Sequence, residues 1–164
     1  MRLAPYNHAP ENSVDSDRRI FLSASVSAAV SAFFGGGVFA DADSIKKAID
    51  EFTGGNPADA SNTLVLETPE IAENGHSVAI TVSMESPMTQ DDYVESVMIL
   101  ADDNPNAEVA IFHFSPFSGE ARVSTRMRLA RTQNVIAIAK LSDGSLHKVS
   151  NHVDVTVGGC GSDA

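Results

Sequence analysis

The chain has 164 residues, of which 43% are hydrophobic and 20% charged, enough apolar material for one domain with a genuine core and too much for a disordered segment. Its 22 acidic and 11 basic residues give a formal net charge of -11, so binding to a nucleic-acid backbone or an anionic membrane surface would work against long-range repulsion. A single cysteine, Cys160, excludes an internal disulfide.

The first element in chain order is an export signal over residues 1–42. Arg18-Arg19 is followed by Ile20-Phe21-Leu22, an uncharged run of Ala, Ser and Val to Phe34, and then Gly35-Gly36-Gly37. Paired arginines ahead of a mildly apolar, serine-rich run fit a twin-arginine signal, which exports proteins already folded. The run from Ile20 to Phe34 holds four serines and is shorter than the roughly 20 apolar residues that span a bilayer. Cleavage after Ala40 or after Ala42 satisfies the small-residue rule equally well, and removal of the signal leaves the chain strongly acidic. A periplasmic location follows. An unpaired thiol in that oxidising compartment calls for a functional explanation or an intermolecular bond.

Residues 43–157 are expected to form one domain. Asp43 or Ser44 can cap a helix of about ten residues in which Ile45, Ala48, Ile49 and Phe52 share one face, with Gly54-Gly55 as the stop. Beyond residue 63 the apolar period changes to two. Val78, Ile80, Val82 and Met84 alternate with Ala79, Thr81 and Ser83, and Val123, Thr125, Met127 and Leu129 alternate with Ser124, Arg126, Arg128 and Ala130. Strands are expected over 63–66, 78–84, 94–100, 109–114, 123–129, 135–141 and 146–157. Turn signals separate them at Glu73-Asn74-Gly75, Ser86-Pro87, Asp103-Asn104-Pro105, Ser118-Gly119 and Asp143-Gly144. Seven strands with no helix between them predict an all-β fold, an immunoglobulin-like antiparallel β-sandwich with a short N-terminal helix.

After the alternating Val153, Val155 and Val157 the chain ends in Gly158-Gly159-Cys160-Gly161-Ser162-Asp163-Ala164. No apolar side chain in residues 158–164 can bury that tail, so it is expected to be a mobile arm, with Gly158, Gly159 and Gly161 as its flexible positions and Cys160 as a covalent attachment point. Glycines flanking a thiol leave it slim enough to enter another protein's active site. A frayed end with an incidental cysteine, on a periplasmic β-sandwich binding module, is the alternative from a different class. The histidines at 8, 76, 113, 147 and 152 show no zinc-type spacing to Cys160, and no catalytic or metal motif stands out, so the chain is expected to be neither an enzyme nor a metal or cofactor carrier. Arg122, Arg126 and Arg128 share one strand face by parity and read as a solvated or interface surface.

The tail Val155-Thr156-Val157-Gly158-Gly159-Cys160-Gly161 resembles the carboxyl end of the SoxY family, the sulfur-carrier subunits of the periplasmic thiosulfate-oxidising Sox system. Pro69-Glu70-Ile71-Ala72-Glu73-Asn74-Gly75, Ser86-Pro87-Met88-Thr89, Asn104-Pro105, Thr125-Arg126-Met127-Arg128-Leu129-Ala130 and Ser142-Asp143-Gly144 follow in the family's order. The resemblance implies a non-catalytic carrier whose Cys160 receives thiosulfate as a cysteine S-thiosulfonate. It also implies a SoxZ-like partner subunit. Three kinds of enzyme would act on the arm: a haem-containing coupling enzyme, a dimanganese sulfate-releasing hydrolase and a sulfur dehydrogenase acting on the persulfide. The ending Gly161-Ser162-Asp163-Ala164 departs from the family's shorter glycine finish.

Overall fold

The structure is a computed structural model that describes residues 42–159. All of the expected signal peptide except Ala42, together with residues 160–164, lies outside the described residues. An amphipathic helix, α1 (Ala42–Thr53), opens the domain. Its first described residue is Ala42, so Asp43 and Ser44 sit inside its first turn instead of capping it, with the Asp43 carboxylate at the favourable positive end of the helix dipole. The stop is where the glycines predict it. Gly54 takes φ 66°, and Gly55 N–H returns to Asp50 C=O at 3.0 Å, which closes a Schellman turn that a side chain at Gly54 would strain.

Nine strands follow: β1 (Asp59–Ala60), β2 (Leu64–Glu67), β3 (Ile71–Ala72), β4 (Val78–Met84), β5 (Val94–Ala101), β6 (Glu108–His113), β7 (Ala121–Met127), β8 (Gln133–Leu141) and β9 (Leu146–Val155). The larger sheet runs β1-β9-β8-β5-β6 with β3 also on β9, and the smaller runs β2-β4-β7. All seven expected strands are present, and every pairing among them is antiparallel. The additions are β1 and β3, two-residue strands that dock in parallel on the outer edge of β9, one at its start and the other at its end. The product is the expected all-β sandwich with one short helix.

The two sheets face each other across the main core. Leu64, Leu66, Val78, Ile80, Val82 and Met127 from the smaller sheet meet Val97, Ile99, Val135, Ala137 and Val153 from the larger. The period-two pattern of β4 is the reason: its even-numbered side chains point inward and are buried. Strands β5 and β8 are buried on both faces because α1 covers the outside of the larger sheet, where Ile45, Ala48, Ile49 and Phe52 pack on Met98, Leu100, Ala107, Ile136 and Ile138. Asn151 of β9 donates from Nδ2 to the Leu66 carbonyl at 2.7 Å, a polar tie between the sheets.

Candidate functional site

The end of β9 leads directly to the tail, and its backbone is tied down at alternate residues. Asp154 N–H donates to Glu70 C=O at 2.9 Å and Thr156 N–H to Ala72 C=O at 3.1 Å, while the Thr156 hydroxyl donates to Glu73 C=O at 2.8 Å. Val157 C=O then accepts from Gly75 N–H at 2.7 Å, and Gly159 N–H donates to Leu129 C=O at 2.8 Å. Leu129 N–H in turn donates to Gly75 C=O at 2.8 Å, so three segments distant in sequence meet through main-chain groups.

Gly159 was expected on the mobile arm together with Gly158. The structure instead buries Gly159 and bonds it to the body of the domain, while Gly158 is half-buried. Neither Gly75 nor Gly159 has positive φ, so their glycine character serves close approach and not a turn conformation. A Cβ on Gly159 would lie under 3.0 Å from the Gly75 carbonyl carbon and oxygen and 2.7 Å from His76 N. A Cβ on Gly75 would meet Gly159 N at 2.8 Å and Val155 Cγ1 at 2.9 Å, and would press still closer on the Leu129 carbonyl oxygen.

The loop that carries Leu129 is rigid for identifiable reasons. Leu129 is fully buried in the main core. Buried Asn104 donates from Nδ2 to Arg128 C=O at 2.8 Å and accepts at Oδ1 from Ala130 N–H at 2.9 Å and from Gln133 Nε2 at 3.0 Å. Gln133 Nε2 also donates to Arg131 C=O, and its Oε1 accepts from Asp103 N–H at 2.9 Å. Arg131 and Asp103 form an ion pair at 2.7 Å that raises the Arg131 pKa above its already high ordinary value, chiefly through the hydrogen bond.

Of the other residues singled out from the sequence, His76 and Arg128 adjoin this junction in the chain, and Arg122, Arg126, His147 and His152 are not among the residues that form it. Arg122 pairs with Glu67 at 3.8 Å, and Arg126 donates to the Ser77 carbonyl and hydroxyl at 3.3 Å, so both belong to a solvated, partnered surface on the outside of the smaller sheet. His147 is half-buried and His152 exposed on β9. Among the described residues no group of three or more His, Cys, Asp or Glu is placed to hold a metal ion. Sequence reasoning missed Gly75 and Leu129. In the sequence the first reads as a turn residue and the second as one apolar position in a strand, and only the pairing of distant backbones gives them a common role.

Residues 49–160 match the family model described as sulfur oxidation protein SoxY. The structure is similar to that of the sulfur carrier protein SoxY from Chlorobium limicola f thiosulfatophilum, at 30% identity and a TM-score of 0.60 over 71% of this chain and all of that one. A putative superoxide reductase from Thermotoga maritima is similar at 21% identity and a TM-score of 0.52, over 60% of this chain and 93% of that one. A superoxide reductase (neelaredoxin) from Ignicoccus hospitalis is similar at 17% identity and the same TM-score, over 57% of this chain and 79% of that one. At these identities the two reductases share the fold alone. No curated protein matches.

Proposed function

The chain belongs to the SoxY family of sulfur oxidation proteins, and from that premise we propose that this Sox-system sulfur carrier holds its thiosulfate-derived cargo covalently on the Cys160 thiol. The observation that carries the reading is the extent of the family match, which runs through the sandwich and ends on Cys160 itself.

The chemistry of a single thiol is sufficient for the role. Oxidative coupling joins the Cys160 sulfur to the sulfane sulfur of thiosulfate, forming one S–S bond, releasing the thiol proton and passing two electrons to a haem-containing partner. Hydrolysis of the resulting S-thiosulfonate breaks the bond to the terminal sulfonate, which leaves as sulfate and leaves a persulfide on Cys160. That persulfide is the substrate of a sulfur dehydrogenase. Throughout, the cargo cannot diffuse away, and the chemistry belongs to the partners. A thiol with the ordinary pKa of about 8.5 is mostly protonated at neutral pH, so the coupling partner has to supply the base that activates it.

The same reading assigns residues 1–42 to twin-arginine export and the working protein to the periplasm, beside a SoxZ-like subunit. No described helix is long and apolar enough to cross a membrane. The test is mass spectrometry of protein exposed to thiosulfate with its partner enzymes. An adduct on Cys160 that disappears on reduction is expected, together with complete loss of thiosulfate oxidation in Cys160→Ser. An unmodified thiol, or an active Cys160→Ser variant, overturns the reading and leaves a β-sandwich binding module with an incidental cysteine.

A further inference from the structure

We propose that Gly75, Leu129 and Gly159 form a backbone pin that holds the chain to the body of the domain as far as Gly159, the residue next to Cys160. This deepens the carrier reading and rests on it for the meaning of the arm, whereas the pin itself rests on geometry alone. Three features carry it. Main-chain hydrogen bonds continue past the end of β9, from Asp154, Thr156 and Val157 to the 70–75 segment and then from Gly159 to Leu129. Gly75 and Gly159 are both buried and touch so closely that neither tolerates a Cβ. Leu129, the third member, is anchored in the main core, and the buried Asn104 amide holds the residues on either side of it, so the pin is attached to the rigid body and not to a surface flap.

The consequence is a short reach. One peptide unit puts the Cys160 Cα about 3.8 Å from the Gly159 Cα, whereas an arm rooted at Val157 would give its cysteine about 10 Å. While the pin holds, the surface nearest the root of the tail is the exposed rim at His76, Arg128 and Val157, which flank the pin in sequence. Gly159 acts as a positioning residue: it sets where the sulfur emerges and takes no part in its chemistry.

Amide hydrogen exchange on the full chain reads the pin without any substitution. Gly159 N–H is expected to exchange at least about tenfold more slowly than an unstructured glycine amide, the protection of one maintained hydrogen bond. Exchange at the unstructured rate overturns the proposal. A nitroxide on Cys160, the sole cysteine, supplies the second measurement. Gly75→Ala, 85 residues away in the chain, should free the label as much as Gly159→Ala does, and the double variant should add nothing further. A label whose motion is unchanged in Gly75→Ala, with the fold intact by circular dichroism, sinks the pin. Neither measurement involves sulfur cargo, so failure of the carrier reading and failure of the pin are separately visible.

Discussion

A buried amide that gives up its water has to recover hydrogen bonds within the protein, and Asn104 does so three times across 24 to 29 residues of sequence. Replacing it with alanine strands the Arg128 carbonyl and the Ala130 N–H together and leaves Gln133 short of a partner. Asn104→Ala is expected to cost about 2–3 kcal/mol, measured as a lower midpoint in urea at unchanged m-value. Exposed Asn106, two residues on, accounts for one local bond to Glu108 C=O, and its alanine variant should change stability by less than about 0.5 kcal/mol. The sequence marks Asn104-Pro105 only as a turn. Its partners are set by which loops the sandwich brings together, information that no local pattern contains. Gly75 is the same case: Asn74-Gly75 reads correctly as a turn, with Asn74 Oδ1 accepting from His76 N–H at 2.9 Å, but the reason for glycine is the approach of Leu129 and Gly159.

At the scale of elements, legibility follows burial. Each β4 side chain faces either the core or the outer surface, so alternation writes the strand into the sequence. The helix is equally plain, because its stripe of Ile45, Ala48, Ile49 and Phe52 is the face that packs. Strands β5 and β8 are nearly continuous apolar runs, which signals cover on both faces; α1 provides the outer cover. By contrast, β1 and β3 have two residues each and exist only because β9 presents an open edge, so no periodicity could reveal them. If α1 is a true second layer, Ile49→Ala should destabilise the domain by about 1–2 kcal/mol, less than a fully buried isoleucine because Ile49 keeps some exposure. Exposed Lys46→Ala, on the opposite face, should change stability by less than about 0.5 kcal/mol. Equal losses for the two in thermal melts would mean that the helix contributes through its own propensity and not by covering the sheet.

The molecule as a whole carries a net charge of -11, and its proposed cargo is an anion. Approach of thiosulfate to the carrier thiol is therefore opposed by the field around the domain. The field can be measured with two thiol reagents that differ in charge. Salt at 0.15 M shortens the screening length to about 8 Å, from about 30 Å at 0.01 M. Raising the salt over that range should speed the reaction of Cys160 with dianionic Ellman's reagent about two- to fivefold and leave the rate with neutral dithiodipyridine unchanged. Parallel changes for both reagents would mean that salt acts on arm conformation, and no change for either would place the thiol outside the acidic field. The expected result has a functional corollary. A coupling enzyme that brings thiosulfate to Cys160 has to supply cations that outweigh this acidic field, so part of the selectivity for the anion resides in the partner.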